Sequence, residues 1–127
     1  MKLYQMGKGV VKHYRNNVKG NKNASCKLIQ RKLTRNILLG KKASSHKGSS
    51  EKVLYKYGCL SILTVGNKIV WLKNGSNPKG WRKDHKRYNE LNEILGINDL
   101  ERKSTNKEIK IHTIFGKFKH LLHIKSK

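Results

Sequence analysis

Acidic side chains are scarce in this sequence. Seven Asp and Glu stand against 30 Lys and Arg in 127 residues, a formal charge of +23, whereas an ordinary soluble enzyme surface intersperses both signs. Long apolar runs are missing as well: the best stretch, 59–72, is interrupted by Ser61, Thr64 and Gly66 to Lys68. It falls well short of the roughly 18 consecutive apolar residues of a membrane span, so neither a transmembrane helix nor a membrane partner is expected. Cysteine is limited to Cys26 and Cys59, with no C-x-x-C pair, which argues against a structural zinc site and against a disulfide framework. Both lie on apolar stretches and are expected as buried free thiols.

The groups that carry enzyme chemistry are equally thin. There is no G-x-x-x-x-G-K-[ST] and no G-x-G-x-x-G; Gly7-Lys8-Gly9 stands far from any predicted strand-to-helix junction, so a nucleotide cofactor is not expected. Two-metal phosphodiester cleavage needs clustered carboxylates, and Asp84, Glu90 and Glu93 form the only close set. Of six histidines, only His120 and His123 stand three apart, with no cysteine and no further carboxylates near enough to complete a ligand set. The sequence therefore predicts no catalytic residue, no metal, no cofactor and no small-molecule substrate.

What is present is positive charge on a modest apolar frame. Leu, Ile, Val and Phe make 32 of 127 residues, just above the roughly 20% below which a highly charged chain stays disordered, so a small core is expected. Charge of this size opposes compaction by self-repulsion, and phosphates relieve it while releasing counterions. A nucleic acid is the expected partner. The excess of 24 Lys over 6 Arg, with 12 Asn and 10 Ile, has the look of an AT-rich genome. The opening MKLYQMGKGVV lacks the apolar core of a secretory signal, and the ten Lys and three Arg of the first 50 residues are too poor in Arg for a transit peptide. The N-terminal segment is expected to be retained.

Patterning predicts an α+β fold: a small antiparallel β-hairpin or meander packed with one or two helices, plus a long basic N-terminal extension. Residues 1–50 hold no acid and +13 of the charge, and read as an extended arm carrying one helix over about 25–39. In that helix Cys26, Ile29, Leu33 and Ile37 share a face, with a Ser25 or Asn23 cap and a Gly40 stop. Lys41 to Ser50 reads as a loop that adds nothing to a core. A small α+β domain with a basic tail is expected over 51–127. Within it Val53–Tyr57, Cys59–Val65 and Ile69–Leu72 are β-prone; Gly66-Asn67 marks a hairpin turn, Gly58 a break or bulge, and 74–80 a loop. Asp84–Leu95 reads as a second helix with Tyr88, Leu91, Ile94 and Leu95 on one face, ending at Gly96, and Ile109, Ile111 and Thr113 alternate as a half-buried strand. Trp71 is expected in the core; Trp81 is expected either as an anchor for the second helix or as a stacking platform.

Nucleic-acid binding uses Lys and Arg for phosphates, aromatics for bases, and Asn, Ser and Gly for close backbone approach. These interleave in Tyr4 to Arg15, in Lys41 to Lys47 and in Lys73 to Arg87, and the first helix adds a basic face. The arm offers Lys8, Lys12, Arg15 and Lys19; the first helix, Lys27, Arg31, Lys32 and Arg35; the following loop, Lys41, Lys42 and Lys47. The densest stretch, KNGSNPKGWRKDHKR, offers Lys79, Trp81, Arg82, Lys83, Lys86 and Arg87. Arg15, Arg31, Arg35, Arg82 and Arg87 are the expected fixed phosphate contacts, because a guanidinium fork grips phosphate bidentately. No zinc finger, basic zipper, RNP1 or GXXG loop is present. In build, a small centre with basic extensions, the chain resembles ribosomal proteins, and the resemblance implies a structural rRNA-binding component of a ribosome among neighbouring ribosomal proteins; the retained N-terminal segment and AT-rich composition favour a mitochondrial matrix over cytosol. The alternative is a DNA-condensing or packaging protein of a phage or organelle nucleoid.

Overall fold

The computed structural model describes residues 2–45 and 52–103; Lys47, the 109–113 strand and the His120–His123 pair lie outside them. A five-stranded mixed sheet carries helices on one face. Along the chain run β1 (Gln5–Met6), α1 (Val10–Asn17), α2 (Cys26–Leu39), β2 (Lys41–Ser45), β3 (Lys52–Tyr57), β4 (Leu60–Val65), β5 (Lys68–Asn74) and α3 (His85–Ile94). The strand order is β1-β5-β4-β3-β2. The four strands β2 to β5 form an antiparallel meander, and β1 joins its β5 edge in parallel. These elements belong to one compact unit, Met1–Ile97; of the second unit, 98–103 is helical and holds an Asp99–Arg102 ion pair.

The α+β class matches the sequence reading, but the long basic N-terminal extension does not exist as an arm. Residues 1–50 supply Val10, Tyr14, Ala24, Leu28, Ile29, Leu33 and Ile37, half of the 14 buried apolar side chains among the described residues. The reason the arm reading failed is local brevity. β1 is two residues long and α1 shows only Val10 and Tyr14 to the core, too little for any periodicity. Tertiary bonds hold β1 instead: the Tyr4 amide donates to Thr34 Oγ1 at 3.1 Å, and Gln30 Nε2 donates to the Tyr4 carbonyl at 2.8 Å. Burial, then a hydrogen bond with Tyr55, push the Tyr4 phenol up to about 12. Lys41–Ser45, expected as loop, is an edge strand, because backbone pairing to β3 needs no apolar side chains.

α2 forms where its spacing predicts. Ser25 caps it by accepting from the Leu28 amide at 3.1 Å, and Ile29, Leu33 and Ile37 are buried. Cys26 departs from the expectation and is exposed, while Cys59 is half-buried. Cys26 sits in the helix's first turn, ahead of the part that meets the sheet. Gly40 is required where α2 hands over to β2: a Cβ there would stand 2.8 Å from the Asn36 carbonyl oxygen and 2.9 Å from that of Lys56. Neither backbone atom can yield cheaply. Gly66-Asn67 makes the predicted β4–β5 turn. Gly58, at φ 58°, opens the two-residue β3–β4 turn rather than bulging a strand. The bulges fall elsewhere, at Ala43 in β2 and Val70 in β5, where the register shifts.

Cross-strand partners point to the same side of a sheet, so the register separates two faces. The inner face carries the rows Tyr55–Ile62–Leu72 and Val53–Thr64–Ile69, with Ile62 and Ile69 fully buried beneath the helices. The outer face carries Lys41–Lys56–Ser61–Lys73, then Leu54–Leu63–Trp71, then Lys52–Val65–Lys68. Trp71 is therefore not a core residue as expected; it is 46% exposed. Its apolar neighbours in sequence read as a buried run, yet alternation places it opposite buried Leu72.

α3 begins at the Asp84 cap, whose carboxylate accepts from the Arg87 amide at 3.1 Å. Leu91 and Leu95 are buried and Tyr88 half-buried, whereas Ile94, expected on the same face, is 61% exposed. Among the described residues no helix is long and apolar enough to cross a membrane.

Candidate nucleic-acid interface

One end of the sheet gathers cations from segments far apart in sequence. Where β2 and β3 meet the 75–84 loop lies a groove of about 610 Å³ lined by Lys41, Lys42, Lys56, Lys79 and Arg82, all exposed. Its walls are Tyr57, Gly58, Pro78 and Trp81. The single acid on the lining is Asp84, whose carboxylate is engaged in capping α3. Lys41 and Lys56 are direct partners in the β2–β3 ladder, an arrangement of like charges that costs stability in the free protein. A phosphate seated between them removes that cost.

Trp81 shapes this groove by packing. Its ring meets Tyr57 edge-on, with centroids 5.4 Å apart and planes at 88°. Gly58 lies so close that a Cβ there would be 3.2 Å from the indole. Thus Trp81 ties the loop carrying Lys79 and Arg82 down onto the β3–β4 turn, the anchor reading, while its half-buried ring still forms wall. The Tyr57 hydroxyl is buried with no hydrogen-bond partner among the described residues, and burial pushes its phenol up. An unpaired buried hydroxyl costs about 1–3 kcal/mol. Tyr57→Phe keeps the ring contact and should leave stability unchanged or raise it by about 1 kcal/mol in urea unfolding; a loss of that size would show that the hydroxyl has a partner.

The other predicted residues divide by what holds them. Arg35 is not on a solvated face. It is 6% exposed, with Nε donating to Asn36 Oδ1 at 3.0 Å, Nη1 donating to Asn92 Oδ1 at 2.7 Å, and its guanidinium 4.3 Å from the Tyr88 ring centroid. It joins α2 to α3. Lys83 also stands over Tyr88, at 4.0 Å. Arg15 donates to the Ala24 carbonyl at 2.8 Å, Arg31 to the Lys27 carbonyl at 3.5 Å, and Lys32 to Asn21 Oδ1 at 2.9 Å. Lys8, Lys12, Lys19, Lys27, Lys86 and Arg87 are exposed but do not line the groove. The structure thus brings Lys41, Lys42, Lys79, Trp81 and Arg82 together.

Lys56 was missed, as were Lys52 and Lys68 on the outer face, because each stands singly in or beside a β-prone run with no local cluster of cations; Lys73 opens the dense 73–87 stretch but was not singled out within it. Only the register aligns them. Among the described residues no cluster of His, Cys, Asp and Glu could hold a metal ion.

Comparison with curated proteins and with solved structures returns no match. A family model does match, over residues 4–94, a span that starts just before β1 and closes at the end of α3. That span takes in the sheet, the three helices and the groove, and by it the chain belongs to the YorE family.

Proposed function

We propose that this protein binds RNA through its sugar–phosphate backbone at the groove between β2, β3 and the 75–84 loop, and that stabilisation of a folded RNA, rRNA in a ribosome foremost, is its role. The observation that carries the reading is the Lys41–Lys56 pair facing Lys79 and Arg82 across a groove whose one acid is already engaged. Lysine and arginine at such a site act by counterion release and need no sequence-reading contact. The groove is positively charged, with Asp84 as the one acid on its lining.

The test is binding of the full chain to labelled single-stranded RNA, duplex RNA and duplex DNA of one length. Losing three phosphate contacts through Lys41→Gln, Lys56→Gln and Arg82→Gln together should weaken RNA binding roughly thirty- to a hundredfold at 150 mM salt. Unchanged affinity would sink the groove. A clear preference for duplex DNA over both RNAs would instead support a DNA-condensing protein.

A further inference from the structure

The outer face of the sheet has a composition that neither a core nor an ordinary solvated surface explains. Its middle row is apolar and ends on Trp71, 46% exposed, beside Val70 at 38%. Lysines flank it on both sides: Lys56 and Lys73 in one row, Lys52 and Lys68 in the other, all exposed. No strand residue on this face is acidic among those described. At the Trp71 edge, Lys8 and His13 join Val70 and Trp71 around a shallow hollow of about 170 Å³, so a further cation stands next to the indole. The first lysine row runs directly from the groove, since Lys41 and Lys56 belong to both.

We infer that this face is a platform for single-stranded RNA, on which an unpaired base stacks against Trp71 while the lysine rows hold the backbone to either side. This rests on the RNA-binding reading and deepens it by naming the strand state. A flat aromatic between cationic rows suits single strands because every unpaired base offers a π-face, whereas a duplex keeps its bases stacked internally. A strand that crosses the three rows meets lysines before and after the indole, so the phosphates 5′ and 3′ of a base stacked on Trp71 each face cations. Ser61, between Lys56 and Lys73, supplies a hydroxyl that can meet a ribose 2′-OH, which favours RNA over DNA.

The experiment compares the full-length chain with its Trp71→Ala and Trp71→Phe variants on a labelled 12-nucleotide oligouridylate, the same-length oligothymidylate and a 12-base-pair duplex RNA. Trp71→Ala should weaken oligouridylate binding about tenfold, leave duplex RNA binding unchanged, and leave the salt dependence unchanged because stacking carries no charge. Trp71→Phe should retain most of the affinity. Equal losses on single strand and duplex, or no loss on either, overturn the platform, while the groove reading stands if a Lys42→Gln, Lys79→Gln and Arg82→Gln variant, whose residues line the groove alone, still weakens binding. Oligothymidylate bound as tightly as oligouridylate overturns the assignment to RNA. If Trp71→Ala lowers the unfolding midpoint or dissociates a dimer without changing affinity, the face is covered by this chain's 104–127 segment or by a second copy, and the platform is likewise overturned.

Discussion

Arg35→Ala is expected to cost the fold about 3–5 kcal/mol, the largest effect of any single substitution among the basic residues. Two buried amide oxygens, Asn36 Oδ1 and Asn92 Oδ1, lose their donor, each at about 1–3 kcal/mol when buried and unsatisfied. The Tyr88 ring also loses a desolvated cation worth up to about 2 kcal/mol. A guanidinium is accommodated in this place because its fork offers several donors, and neutral amides plus a π-face replace water. The loss would be a large part of the roughly 5–15 kcal/mol that holds a small domain. Arg31→Ala, on the same helix with one 3.5 Å bond to the Lys27 carbonyl, should stay within about 0.5 kcal/mol. Urea unfolding of the two variants side by side tests the contrast; an Arg35→Ala loss below about 1 kcal/mol would show that α2 and α3 are held by their apolar contacts alone.

Affinity for single-stranded RNA should fall about a hundredfold between 50 and 200 mM monovalent salt. Five groove cations, Lys41, Lys42, Lys56, Lys79 and Arg82, each neutralising one phosphate, give a log–log slope of about −3.5 at roughly −0.7 per contact on a single strand. Substituting three of them by Gln should flatten the slope by about 2. Arg35 variants, measured where they remain folded, should leave it alone, because Arg35 presents almost nothing to solvent. A slope shallower than about −1 in the unaltered protein would mean that the charge is not where binding happens.

These two expectations separate arginines and lysines that look alike in the sequence. The helical spacing of Ile29, Leu33 and Ile37 was legible and so was the basic face around it, but spacing alone assigned Arg35 to that face. Tertiary packing reassigned it: Arg35 lies between Thr34 and Asn36, both buried, on the side where α3 docks. Trp71 changed character for a similar reason: it sits in an apolar run, which reads as core, yet β alternation turned it outward. For Trp81, which the sequence leaves open between anchor and stacking platform, packing against Tyr57 and Gly58 selects the anchor.

The scarcity of acids made phosphate the expected ligand without any structure. Composition suffices for that because counterion release depends on how many cations there are and little on their order. The hydrophobic period also decided α2, α3 and the β4–β5 hairpin, all elements long enough to show it. Where the charge acts was decided only by the tertiary structure. The basic residues described between 2 and 45 are not spread along an arm but mounted on elements that supply half of the buried apolar side chains among the described residues, and the groove is assembled from β2, β3 and the 75–84 loop, which lies apart from both in the sequence. Register and loop closure bring those cations together, and neither is written in the local spacing of any one segment.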